Sequence, residues 1–321
     1  MNDADSYVAV SPEVISELTS DMTSCLQIAY NNRLAITTTP HLDFKPGGAG
    51  KDWRNSYVFN PTAKINGYSY QDVLLEPIAN AVLSLPKDAQ VDFAMQGEMG
   101  GTLFDYPSEW KSLVENYKSR FSEYSNIRAG IDTNYNKVAG NEADWNDNGW
   151  FTNPNLGPAH DKTKFQNLLA SVQFIGFSAY GQVGNPVTIE NFRGLLNGYK
   201  YIYSKNGVTF PNVPVKFSEV GVGGGAKAGS CGDGNTINNC PWEGPSSKEK
   251  SCPVLWGNSA NEKFRESYYT ALTQFLQTGA IDSAYVWNLD TWDAQGVYRT
   301  SQACGSPQIV AIIKNYNGNI A

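Results

Sequence analysis

Two glutamates in this chain end apolar runs. Glu98 closes QVDFAMQGE (90–98) and is followed by Met99 and a pair of glycines; Glu219 lies in VPVKFSEVG (213–221), again just before glycine. A carboxylate at the end of a buried run is costly to desolvate unless something uses it. A single Glu in such a place is ordinarily a surface turn residue. Two of them at the ends of two strands of one sheet can do more. A glycosidic bond is cleaved by one carboxyl group that protonates the leaving oxygen and another that attacks or stabilises the anomeric carbon, with the two held about 5–5.5 Å apart in retaining enzymes.

Other chemistries fit less well. His41 and Asp43 resemble a metal pair, but the chain has only one further histidine, His160, and no CxxC pair. No GxSxG elbow supports a serine nucleophile. GVGGG (221–225) is the one glycine-rich candidate for a phosphate turn, and cysteines and a long loop follow it rather than a helix. Neither a metal nor an organic cofactor is expected.

The elements that must position the glutamates alternate along the chain. A helix is expected from Ser11, a capping residue followed by Pro12, to Asn31, with Val14, Leu18, Met22, Cys25, Leu26 and Ala29 at helical spacing. LAITTTPHLD (34–43) reads as a strand, and a helical stretch near 70–84 leads to QVDFAMQGE. A helix after Tyr106-Pro107-Ser108, with Leu113, Val114, Tyr117 and Phe121 on one face, leads to IRAGIDTNY (127–135). Helical patterns near 161–171, 188–205 and 260–277 precede the strands VQFIGFSAY (172–180), VPVKFSEVG (213–221) and DSAYVWNLD (282–290). Strands alternating with helices at this spacing predict βαβ units and a parallel sheet.

All six strands share a grammar: an apolar start and a polar or aromatic end. Those ends carry His41 and Asp43, Gln96 and Glu98, Asn134 and Tyr135, Ser178 and Tyr180, Ser218 and Glu219, and Trp287, Asn288 and Asp290. A (β/α)8 barrel builds its site at that face from several strands at once. The expected fold is therefore α/β, a TIM (β/α)8 barrel forming a single domain over 1–321, with a long Cys-containing loop at about 221–258. With LAITTTPHLD counted as strand three, Glu98 closes strand four and Glu219 strand seven, which face each other across the barrel mouth. Only YVAV (7–10) precedes the first helix, enough for the tail of strand two, so the barrel is expected to lack its first strand and helix.

Composition narrows the partners. A formal net charge of −7 with scattered Lys and Arg argues against nucleic acid or a membrane surface. No apolar stretch approaches the ~20 residues of a membrane helix. Aromatic residues make up 12% of the chain, and aromatic faces are what sugar rings stack on. Trp53, Trp145, Trp150 and Trp242 lie in loops expected on the substrate side, while Trp256 and Trp292 suit rim or core. Cys231, Cys240, Cys252 and Cys304 suit disulfide staples of an oxidising compartment, hence a secreted protein, although MNDADSYVAV is no signal peptide. Cys25, on the apolar side of its helix, is the free thiol. The sequence leaves the oligomeric state open.

Taken together, PHLD (40–43), QGEMGG (96–101), FIGFSAYG (174–181), VPVKFSEVG (213–221) and AYVWNLDTW (284–292) resemble, in order and spacing, the clan of retaining (β/α)8 glycoside hydrolases that includes cellulases, mannanases and galactanases. Within it the chain is most similar to glycoside hydrolase family 113, the β-mannanase-like group. The resemblance implies Glu98 as acid/base, Glu219 as nucleophile, Tyr180 as the phenol positioning the nucleophile and Trp287 as the platform under the cleaved sugar. It implies His41, Asp43 and Asn134 as partners of sugar hydroxyls, and a β-mannan or related β-glycan as substrate. One departure is clear: most of the clan has Asn directly before the acid/base, where this chain has Gly97, leaving Gln96 or Asn134 to hold the sugar 2-hydroxyl. A different class of function, a carbohydrate-binding barrel that no longer catalyses, would keep the aromatic cleft but normally lose one glutamate.

Overall fold

The computed structural model describes residues 10–42, 54–135, 137–140, 149–152, 160–222, 259–287 and 306–318. The expected alternation is present in them. Helix α1 (Pro12–Asn31) precedes β1 (Ile36–Thr38); α2 (Glu76–Leu83), entered through a wide π turn at Gln71–Leu75, precedes β2 (Val91–Ala94). Then come α3 (Gly100–Asp105), α4 (Pro107–Arg120), β3 (Ile127–Asn134), α5 (Lys162–Ser171), β4 (Ile175–Ser178), α6 (Ile189–Lys205), β5 (Val215–Val220), α7 (Ser259–Gln277), β6 (Ser283–Val286) and α8 (Pro307–Gly318).

By its contacts the chain divides into two compact units, residues 1–177 with 202–214, and residues 178–201 with 215–321. In the first the strand order is β1-β2-β3-β4; the second holds β5 and β6 side by side. The registered pairs β1–β2, β2–β3 and β5–β6 are parallel. Strand order thus follows chain order, with a helix between successive strands. A doubly wound sheet would reverse its order at a switch point; sequential winding is that of part of a (β/α)8 barrel.

The first unit shows how alternation aims the side chains. Phe93 of β2 packs on Tyr117 of α4 and on Phe121 at its C-terminal cap, with ring centroids 5.1 and 5.3 Å away. Asp92 therefore faces the other side of the sheet, where Arg128, its register partner on β3, meets it through two bonds of 2.7 and 3.1 Å. With a period of two, Gln96 follows the Asp92 face, and Asp132 and Asn134 follow the Arg128 face. In the second unit, Phe192 of α6, Phe217 of β5 and Phe275 of α7 form a helix-facing cluster, with centroids 5.9–6.2 Å apart.

Several expectations need correcting. Every strand is shorter than its expected run, by a single residue in β3 and by more in the others. α3 and α8 were not expected at all. Cys25 is a free thiol but is exposed; α1 buries only Leu26, so its apparent apolar face is mostly solvated. Trp150 is no sugar subsite: it is 1% exposed, wedged among Phe104, Phe165 and Tyr203. His160 lies in a loop and is buried there, with Nδ1 2.8 Å from the Trp150 carbonyl and Nε2 2.9 Å from Asp105. Asp43, Trp53, Trp145, Trp242, Trp256, Asn288, Asp290, Trp292 and the cysteines of the long loop and its sequel lie outside the described residues.

Candidate active site

Glu98 belongs to the first unit. It sits four residues past the end of β2, 6% exposed, with φ +52°. A side chain in the left-handed region costs about 1–2 kcal/mol, so the surroundings must impose it. They do so with four bonds. The Gln96 amide oxygen accepts from Met99 N at 2.7 Å and its nitrogen donates to the Asp132 carbonyl, closing a bridge over the turn. Gly97 N donates to the Pro40 carbonyl at 2.8 Å, and Gly100 N to Asn55 Oδ1 at 2.7 Å. The Tyr70 hydroxyl, 3.1 Å from the carbonyls of Pro40 and Met95, ties the same two loops together. Burial pushes its phenol well above the usual range, which keeps it a donor.

The glycines around Glu98 are required by close approach. A Cβ on Gly97 would stand 3.1 Å from both Thr39 Cγ2 and the Thr39 carbonyl, so the asparagine found here in the resembling clan would have to push the end of β1 aside. On Gly100 it would collide with the Val138 carbonyl and come 2.8 Å from Asn55 Oδ1.

Both oxygens of the Glu98 carboxylate face nitrogen donors. Asn134 Nδ2, from the end of β3, donates to Oε1 at 2.8 Å. Arg54 Nη2 lies 3.2 Å from Oε2. Arg54 was not foreseen, since an arginine in an irregular loop carries no periodic signal. It rides on a single turn, Arg54–Ser56, whose Asn55 is fully buried and fixed to Gly100 and to the Lys137 carbonyl. Gln96, expected beside a sugar, is fully buried with both ends of its amide on main-chain groups. It holds the turn that presents Glu98. His41 is half-buried just past β1, next to the tethered Pro40.

Glu219 belongs to the second unit and lies one residue from the end of β5, half-buried. Ala179 N donates to its carbonyl at 2.7 Å, which sets Tyr180 beside it, and the Tyr180 hydroxyl donates to Oε2 at 3.2 Å. Trp287 follows β6; its N–H reaches the Val220 carbonyl at 2.9 Å, and its side chain is 42% exposed. A Cβ on Gly221 would strike the Trp287 carbonyl, so glycine lets the two strand ends close together. Glu219, Tyr180 and Trp287 thus gather at the C-terminal ends of neighbouring elements, as their strand-end positions predict.

Among the described residues no group of three His, Cys, Asp or Glu side chains is placed to hold a metal ion, and no helix is long and apolar enough to cross a membrane.

No protein-family model matches the chain, and no curated protein sequence matches it. In structure it is similar to a glycoside hydrolase family 17 β-1,3-glucanosyltransferase from Rhizomucor miehei, at TM-score 0.48 and 13% identity, covering 90% of this chain and 80% of that one. It is also similar to a β-glucuronidase from Ruminococcus gnavus in complex with D-glucuronic acid (TM-score 0.45, 11% identity, 95% of this chain and 45% of that one). A Cellulomonas fimi endo-β-1,4-mannanase double mutant gives TM-score 0.41 and 13% identity over 94% of this chain and 57% of that one. At this level of likeness, function rests on the site residues themselves.

Proposed function

We propose that the chain is a retaining glycoside hydrolase acting on a β-linked glycan, β-mannan or a related polymer or oligosaccharide, with Glu98 as acid/base and Glu219 as nucleophile. The observation that carries this reading is the Tyr180–Glu219 bond at 3.2 Å, a carboxylate at a strand end oriented by a phenol, with an exposed Trp287 just past the paired strand β6. In the first half-reaction a Glu219 oxygen bonds to the anomeric carbon while the glycosidic C–O bond breaks and Glu98 gives its proton to the leaving oxygen. In the second, Glu98 takes a proton from water, the water oxygen bonds to the anomeric carbon and Glu219 is released as carboxylate. Tyr180 fixes the Glu219 rotamer, Asn134 the Glu98 rotamer, and Trp287 supports the sugar ring. His41 and Asn134 are the described candidates for sugar hydroxyls.

The test is stereochemical. Glu219→Ala should abolish turnover, and added azide should fill the vacated space and give the α-glycosyl azide. Glu98→Ala should still form the glycosyl-enzyme from a substrate with a good leaving group, with azide then speeding its breakdown to the β-glycosyl azide. Wild-type hydrolysis with inversion would refute the pairing. Failure to cleave any of a broad panel of β-glycans would return the chain to the binding-barrel reading.

A further inference from the structure

We propose that β5 carries a one-residue bulge at Ser218 and that this bulge aims Glu219, which makes Ser218 the positioning residue for the nucleophile. The inference rests on the glycosidase reading above, and it adds a backbone feature that strand alternation alone does not reach.

The ladder supplies the first observation. Between the pairs Phe217–Ala284 and Val220–Val286, β5 advances three residues while β6 advances two. Backbone bonds on the other edge of β5 show the same surplus. Ile175 N donates to the Pro214 carbonyl at 3.0 Å and Ala179 N to the Glu219 carbonyl at 2.7 Å, each bond within one unit, so four residues are matched by five. Ser218 and Glu219 thus stand where β6 has only Tyr285, the two-against-one count of a bulge.

Side-chain directions follow from that count. Phe217 faces the helices, since its ring packs on Phe192 and Phe275. In a plain strand Glu219, two residues on, would face them as well. Val220 takes that side instead, because its partner Val286 lies two residues beyond Ala284, the partner of Phe217. Glu219, next to Val220, therefore points the other way. Lys216, next to Phe217, marks this second side independently: its ammonium lies 5.9 Å from the Tyr285 ring centroid. Trp287, two residues past Tyr285, continues the same face. The surplus residue thus brings the carboxylate to the side of the β6 aromatics, where the Tyr180 hydroxyl meets it at 3.2 Å. The bend and extra twist of a bulge set its aim within that side.

Two edits at one point test this. Deletion of Ser218 leaves Phe217, Glu219 and Val220 on their present sides in a regular ladder, but removes the bend. An alanine inserted after Ser218 sets three residues against Tyr285. The first arm is thermal and needs no substrate: the deletion should melt at least about 5 °C above the insertion. In a plain strand either edit would reverse every side chain beyond it, so equal Tm values, or a deletion that does not fold, overturn the bulge.

The second arm is a kinetic cycle on a dinitrophenyl β-glycoside. The deletion should lower kcat/KM by about 10²-fold, the loss expected when a reacting group is misplaced by about 1 Å. Tyr180→Phe should then cost the deletion variant less than about twofold, against about 10- to 100-fold in the unedited enzyme, because the phenol no longer reaches the carboxylate. A Tyr180→Phe loss of the same size in both backgrounds would mean a merely structural bulge and overturns the aiming role. A deletion variant with full activity, or with no turnover, overturns it too. If the melting order holds but wild type cleaves no β-glycoside, the bulge stands, the glycosidase reading has failed and the role assigned to Ser218 falls with it.

Discussion

Glu98 should be more stable as glycine than as alanine, the reverse of what most positions show. The perturbation is the pair Glu98→Gly and Glu98→Ala. Both lose the bonds to Arg54 and Asn134, so that cost cancels in the comparison. What differs is the backbone at φ +52°. A side chain there costs about 1–2 kcal/mol, and glycine removes that cost while giving back about 0.5–1 kcal/mol through its freer unfolded chain. The net is about 0.5–1 kcal/mol in favour of glycine, or about 1–3 °C in Tm for a chain of this size. The turn itself should persist in both variants. Its four bonds, each worth about 0.5–1.5 kcal/mol, together exceed the strain they impose. Denaturant midpoints and Tm of the two variants provide the assay. Ser24, exposed on α1, is the control: alanine should there exceed glycine by about 1 kcal/mol. Equal or greater stability of Glu98→Ala would refute the claim that Glu98 is held in a strained conformation.

Two further predictions concern each unit in turn. Tyr180→Phe removes the donor to Glu219, a bond to a charged group worth about 1.5–3 kcal/mol, and should lower kcat/KM by about 10- to 100-fold while Tm barely moves; a loss under twofold would exclude a positioning role. In the first unit, partial burial pushes the Glu76 carboxyl up, but bonds from Tyr117 (2.8 Å), Arg120 (2.7 Å) and Gln71 (3.2 Å) outweigh this and hold it below 4.5. A carboxylate depressed in the folded state stabilises above its unfolded value and loses that contribution as pH falls through the folded one. Wild type should therefore exceed Glu76→Gln by about 1 kcal/mol at neutral pH, a modest figure because the pair is partly solvated, and the gap in Tm should close towards pH 3. A gap independent of pH would show that the carboxylate's charge contributes nothing.

What the sequence made legible was whatever repeats with a period. Helix α1 is marked by Ser11 and Pro12, and the Ser11 side chain does accept from Val14 N. The apolar runs locate β1 to β6, yet they overshoot, because alternation continues past the last ladder bond; Gln96 and Glu98 keep the pattern of a strand that has already become a turn. GGTLFD, which forms α3, looks like a loop by composition. It is helical because only glycine at 100 and 101 lets this segment lie against the 54–57 turn, whose Asn55 and Tyr57 carbonyls would meet a Cβ on Gly101 at 2.9–3.1 Å. Trp150 was misjudged because its loop carries polar residues, and only contacts with Phe104 and Phe165 reveal that it closes a core, which His160 joins through Phe104.

The site divides along the same line. Glu98 and Glu219 can be found from one strand each, since a strand end is a local feature. The use to which a carboxylate is put is not local, because it depends on the donors that reach it. For Glu98 these are Asn134, 36 residues away, and Arg54, in an aperiodic loop; neither is predictable from the strand that carries the glutamate. Glu219 instead meets a phenol, Tyr180, 39 residues away on a neighbouring strand end. The stereochemistry of azide rescue tests the roles of the two directly: it asks which carboxylate attacks, independently of the strand on which each one lies.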